Sequence, residues 1–180
     1  MKHPARIAAF AVALVVVVFG VVLALNVGSD PQADTKQSHL VGKAAPALNL
    51  PNLAGGRVKL ADLAGKSVIV NFWNSWCLPC RAEEPALQAF YDAHKGDSDF
   101  AMVGIVRDDE TKNVRAYVKS HGIEWTVALD PESVAALDYG TRGQPETYGI
   151  SPSGVVVAAK LSEMLPNDLE AFLAAARARG

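Results

Sequence analysis

The 180-residue chain is almost devoid of cysteine, with Cys77 and Cys80 as its only pair. That scarcity excludes a disulfide-dense scaffold, and a ring closed between residues so near in sequence restricts little chain entropy. A structural zinc site is also without support. It needs four ligands, and His3, His39, His94 and His121 show no ligand spacing around the single pair. Acidic residues are missing from the first 27 positions, where only Lys2 and Arg6 carry charge. Beyond Val27 the other 15 of the 17 basic residues face all 19 acidic ones. That balance argues against a nucleic-acid or anionic-lipid surface on the main domain. Repeats and low-complexity tracts are absent as well. Half of the residues are apolar, which fits one folded domain with an extension rather than a disordered chain.

The extension is the first segment. Residues 7–25, IAAFAVALVVVVFGVVLAL, contain no charged or strongly polar side chain. As a helix this run is ~28 Å long, close to the thickness of a bilayer core. Its basic flank MKHPAR predicts a cytoplasmic N-terminus over residues 1–6, with everything after the span outside. A cleaved signal peptide is the alternative, but its apolar region is usually shorter, and Ala24-Leu25-Asn26 is a poor cleavage site. A single-pass anchor is therefore expected at 7–25, in contact with the lipid bilayer. A polar tether is expected over 26–45 and a folded domain over 46–180.

Within that domain, Ala47–Leu50 and Arg57–Leu60 flank a turn at Asn52–Gly56 and predict a β-hairpin. Ser67–Phe72 and Phe100–Val106 are continuous apolar runs that predict buried strands. A helix is expected over Leu78–His94, with Ala82, Ala86, Leu87, Phe90 and Tyr91 on one stripe and a kink at Pro85. Another is expected over Glu110–His121, stopped by Gly122. A short strand at Trp125–Leu129 and a short helix at Glu132–Leu137 follow. Strands Glu146–Ile150 and Val155–Leu161 then flank a Ser-Pro-Ser-Gly turn, and Pro166-Asn167 open a last helix. The alternation of strands and helices followed by a hairpin predicts an α/β fold, with a mixed central sheet covered by helices on both faces.

The chemistry is concentrated in NFWNSWCLPCRAEEP, Asn71 to Pro85. A Cys-x-x-Cys that follows a buried strand and opens a helix places the first sulfur among unpaired backbone N–H groups at the positive end of the helix dipole. Cys77 is therefore the expected nucleophile, with a lowered pKa, and Cys80, one turn on, is the resolving thiol. Pro79 costs little in a first helical turn.

These residues resemble the thioredoxin superfamily: a strand, Trp73, Trp76-Cys77-Leu78-Pro79-Cys80, and a helix containing Pro85. Gly143-Gln144-Pro145-Glu146-Thr147 resembles the family's cis-proline loop. The hairpin, the long stretch between Cys80 and Pro145 (a central insertion), and the GxPET sequence are similar to the membrane-anchored TlpA, ResA and CcmG/DsbE group. The resemblance implies a reducing thiol–disulfide oxidoreductase outside the cytoplasmic membrane. Its only redox centre would be the Cys77–Cys80 disulfide, without a further cofactor or metal. It implies a disulfide-bearing protein substrate, specifically the haem-attachment cysteines of an apocytochrome c, and a membrane electron donor of the CcdA or DsbD type. A monomer is expected.

The resemblance also implies that Pro145 sits against the cysteines and that the Gln144 backbone pairs with substrate. Trp76, Leu78 and Pro79 shape the docking surface, and Glu146 makes the groove acidic. Asn71 stands where thioredoxins carry a buried aspartate. Glu83, three residues after Cys80, is the expected replacement, exchanging a proton with Cys80. Asp108, Asp109 and Glu110 read as a solvated helix start. Competing functions are a general extracytoplasmic oxidant or isomerase, a peroxiredoxin-type peroxidase, and a copper-binding or redox-sensing module. The peroxidase reading is disfavoured because Asn74, not a hydroxyl residue, lies three positions before Cys77.

Overall fold

The computed structural model describes residues 13–19 and 38–180. The chain divides into two units, 1–34 and 35–180. In the first, residues 13–19 are helical and exposed; the rest of the expected 7–25 span lies outside the described residues. Among the described residues no helix is long and apolar enough to cross a membrane.

The second unit is built on a five-stranded sheet of order β5-β4-β3-β6-β7. Its strands are β3 (Ser67–Trp73), β4 (Phe100–Val106), β5 (Thr126–Leu129), β6 (Glu146–Ile150) and β7 (Val156–Lys160). Strands β3, β4 and β5 run parallel, whereas β6 pairs antiparallel with both β3 and β7. The sheet is therefore mixed, as the element order predicted. Strand β3 is central and buried along its whole length, which is why its sequence is apolar on both faces. Val68, Val70 and Phe72 point to one face and Ile69, Asn71 and Trp73 to the other, following the two-residue pleat.

Helices α1 (Leu78–His94), α2 (Thr111–His121) and α4 (Pro166–Arg177) cover the Ile69 face. The short α3 (Val134–Tyr139) covers the other, together with the hairpin of β1 (Asn49–Pro51) and β2 (Arg57–Lys59). A 3-10 turn at Leu60–Leu63 follows β2. The hairpin is fastened to the edge strand by Leu53 N–H donating to the Val127 carbonyl at 2.8 Å. Helix α2 ends at Gly122, whose φ of 66° lies in the left-handed region that glycine adopts without a Cβ penalty.

Three local expectations need correction. Residues 38–45 belong to the domain and not to a tether: Ser38 and Leu40 are buried, and Gly42 N–H donates to Val156 O at 2.8 Å. Helix α3 starts later than Glu132 because the Asp130 carboxylate caps it from upstream. It accepts from Ala135 N–H at 3.3 Å and Ala136 N–H at 2.9 Å, and Pro131-Glu132 form the intervening turn. On α1 only Ala82 leaves the expected stripe and is exposed; Leu87 and Phe90 are buried, Ala86 and Tyr91 pack partly buried beside them, and Cys80 and Glu83 join the inward face. The helix runs on through Pro85, although proline supplies no N–H to the carbonyl of Arg81.

Candidate active site

Strand β3 ends at Trp73, a three-residue loop follows, and Cys77 is the N-cap of α1. Cys77 and Cys80 form a disulfide with Cα atoms 5.3 Å apart. Cys77 Sγ accepts the Cys80 backbone N–H at 3.2 Å. This is one of the orphan donors of the first helical turn, and once the bond is reduced the same donor and the helix dipole stabilise a thiolate at Cys77. Both sulfurs are buried, but Trp76 and Leu78 beside them are 56% and 75% exposed and Pro79 is exposed too. An apolar lip therefore surrounds the redox bond, a surface suited to a protein partner.

The Gln144–Pro145 bond is cis, and Pro145 immediately precedes β6, where Glu146 pairs with Phe72. The loop thus lies beside the end of β3 from which the cysteine loop departs. Gln144 Nε2 donates to Asn74 Oδ1 at 3.4 Å, joining the two loops. Glu146 is not on an open groove. It is buried, with Oε1 accepting from Arg142 N–H at 2.8 Å and Gly143 N–H at 3.1 Å and Oε2 accepting from the Tyr148 hydroxyl at 3.0 Å. Its carboxylate holds the cis-proline loop in shape from inside, because a buried carboxylate must find donors and the loop backbone supplies them.

Glu83 is 2% exposed. Its Oε1 accepts from Asn71 Nδ2 at 2.8 Å and its Oε2 from Met164 N–H at 2.7 Å. Burial raises its pKa to about 7, against the lowering effect of those two donors. Asn71 lies on β3 directly under α1 and also donates to Thr147 Oγ1 at 3.0 Å. Both residues singled out around the Cys-x-x-Cys are thus brought together in one buried pair on the cysteine side of the sheet.

Other supporting residues escaped the sequence. The loop after β4, read as a solvated helix start, clamps the cysteine loop. Asp109 Oδ2 accepts from Ser75 N–H at 2.7 Å, and the Asp108 carbonyl accepts from Trp76 Nε1 at 3.2 Å and Asn74 Nδ2 at 3.4 Å. Asp108 has a φ of 56°, a left-handed conformation that aspartate tolerates better than most residues. From the helix side, Arg81 Nε donates to the Ser75 carbonyl at 2.8 Å. No local pattern announces these roles, since each joins segments far apart in sequence. Among the described residues no cluster of three or more metal-ligating side chains occurs.

A parallel β-α-β core, a disulfide at the N-terminus of the first long helix and a cis-proline loop beside it define a thioredoxin-like thiol–disulfide exchange domain. The chain belongs to the AhpC/TSA family, whose model matches residues 41–159. It is 30% identical over 138 residues to the thiol-disulfide oxidoreductase ResA of Bacillus thuringiensis (strain Al Hakam), covering 77% of this chain and 79% of that protein. It is 35% identical over 121 residues to the thiol:disulfide interchange protein DsbE of Pseudomonas fluorescens biotype C, covering 66% and 65%. Among solved structures, a thiol:disulfide interchange protein of the thioredoxin family from Chlorobium tepidum TLS matches with a TM-score of 0.66. It is 29% identical and covers 74% of this chain and 94% of that one. The chain is a thiol–disulfide oxidoreductase of the ResA/DsbE type, acting on disulfide-bearing substrates.

Proposed function

We propose that this oxidoreductase works as a reductant of protein disulfides on the outer side of the cytoplasmic membrane, in cytochrome c maturation. The observation that carries the reading is the buried Glu83, held by Asn71 in place of a carboxylate on β3, with its pKa raised to about 7. A group poised near neutrality can take a proton from a thiol and return it.

Reduced Cys77 attacks a substrate disulfide as thiolate, forming a mixed disulfide and releasing one substrate sulfur. Cys80 gives its proton to Glu83 and attacks the Cys77 sulfur, and the second substrate sulfur leaves. The substrate gains two electrons and the chain ends as the Cys77–Cys80 disulfide, which a CcdA- or DsbD-type donor reduces again. Trp76, Leu78 and Pro79 supply the apolar docking lip, and the Gln144 backbone beside cis-Pro145 pairs with the extended substrate. The apolar run at 7–25 anchors the chain, as its length and basic flank support.

Trapping with Cys80→Ser tests the substrate. An apocytochrome c Cys-x-x-Cys-His site held on Cys77 supports the reading, and a broad collection of captured proteins refutes the specific role. A redox titration tests direction. A potential near the about −270 mV of thioredoxin is expected, and one near the about −120 mV of DsbA would indicate an oxidant instead.

A further inference from the structure

Asn71, Thr147 and Lys160 stand opposite one another on β3, β6 and β7. Residues paired in register across a sheet point to the same face, so Lys160 projects to the side of α1 and α4. Neighbouring strands are spaced so that the Lys160 backbone lies about 10 Å from that of Asn71, the residue that holds Glu83. Lys160 is half-buried there, and its ammonium donates to Asp168 Oδ2 at 2.5 Å. The same oxygen accepts the Leu165 N–H at 2.9 Å. The preceding amide, Met164 N–H, is the one given to Glu83. Two consecutive amides between β7 and α4 are thus taken by two carboxylates, Glu83 on α1 and Asp168 in the first turn of α4. Burial works against the charge on Asp168, but the Lys160 ammonium and the Leu165 N–H outweigh it and hold its carboxyl below the usual range. The pair is therefore ionised at neutral pH.

Groups from every neighbouring element bear on the Glu83 proton. Cys80 shares the inward face of α1, Asn71 reaches the carboxyl from β3, and Met164 N–H comes from the segment before α4. Beyond burial and the two donors, Glu163 on that segment favours the proton and Lys160 on β7 opposes it. We propose that Lys160 is a positioning residue for resolution, its ammonium held by Asp168 as the counter-charge that keeps Glu83 available as a base. The inference rests on the reading that Glu83 takes the Cys80 proton. In that step the proton passes from Cys80 Sγ to the Glu83 carboxylate and the Cys80 thiolate bonds to Cys77 Sγ. The bond from Cys77 to the substrate breaks, and its electron pair leaves on the substrate sulfur. Only an ionised Glu83 can accept, and a nearby cation favours the ionised form.

The test uses the full chain with Lys160→Met, Asp168→Asn and the double variant. Carbon NMR follows the titration of the Glu83 carboxyl in the oxidised form. Single-turnover release of a disulfide-linked peptide from Cys77 gives the matching pH profile. The carbonyl oxygen of asparagine can take over both contacts of Asp168 Oδ2, so Asp168→Asn removes the charge and keeps the cap. Lys160→Met removes the counter-charge. Its Glu83 midpoint should rise above the wild-type value of about 7 by about half a pH unit or more, and release at neutral pH should slow about twofold or more. Asp168→Asn leaves Lys160 without a neutralising partner, so the midpoint should fall, and the double variant should lie between the single ones. A pair that only capped α4 gives another pattern. Loosening the segment withdraws Met164 N–H from Glu83, which raises the midpoint in both single variants. A rise in Asp168→Asn, or no movement in Lys160→Met, overturns the proposal. Glu83→Gln separates the two readings. A release profile that Glu83→Gln flattens and Lys160→Met leaves unmoved overturns the role of Lys160 while Glu83 stands. A profile unchanged by Glu83→Gln removes the acid–base reading of Glu83, and this inference falls with it.

Discussion

Replacing Glu83 by glutamine should alter how stability depends on pH, and the size of the effect follows from the site. In the folded, oxidised protein the carboxyl ionises near pH 7, whereas its ordinary value is 4.5. Between those values the unfolded chain releases the proton and the folded chain retains it. Wild-type stability therefore falls as pH rises through that window and levels off above the folded pKa. The loss from this group is roughly 1 kcal/mol at pH 5 and roughly 3 kcal/mol at pH 8. Glutamine does not titrate. It must also turn an amide N–H toward either Asn71 or Met164, both of which donate to Glu83, at a pH-independent cost of about 1–3 kcal/mol. Urea unfolding of the oxidised form at both pH values is the assay. The stability of the variant relative to wild type should rise by roughly 2 kcal/mol from pH 5 to pH 8, a midpoint change of about 1 M. A difference that stays constant to within about 0.5 kcal/mol would show that Glu83 is ionised at both pH values, and the proton-exchange role would go with it.

Glu146→Ala removes the acceptor of two loop N–H groups and the Tyr148 hydroxyl, and should lower stability by about 2–4 kcal/mol in urea, with slower exchange at every pH. Asp109→Ala frees the Ser75 N–H and should cost about 1–2 kcal/mol by thermal unfolding, while accelerating opening of the disulfide by dithiothreitol as the cysteine loop loosens. Leu78→Ser, at a 75% exposed position, should raise KM for a protein substrate several-fold. Its unfolding midpoint should move by no more than about 0.5 kcal/mol equivalent, and a loss of stability instead would mean that Leu78 packs on the domain.

The strands with continuous apolar runs were legible because burial on both faces leaves no room for polar residues: β3 and β4 begin where Ser67 and Phe100 predict. The helices over Leu78–His94 and up to Gly122 were legible from caps and periodicity. Glu83 was legible only as a chemical question, since a glutamate on α1 reads as surface until Asn71 and Met164 are seen to receive it. Glu146 was misplaced for the same reason, its partners being backbone groups that no side-chain pattern encodes. Asp108 and Asp109 read as a helix start because their true partners, Ser75 and Trp76, lie on another loop. That Ser38 and Leu40 belong to the domain was hidden by polar neighbours that suggest a tether.

The amide of Asn71 has two hydrogens, one given to Glu83 and one to Thr147. Thr147 is the second residue after cis-Pro145, on β6 between β3 and β7. A single side chain thus joins the buried carboxyl of Glu83 to the strand that follows the cis-proline loop. Linkage makes such coupling reciprocal: a partner that shifts Thr147 changes the affinity of Glu83 for its proton, and the protonation of Glu83 changes the affinity for the partner by the same factor. If the chain works as the proposed reductant, release of its product and return of the proton to Glu83 would be two readings of one equilibrium.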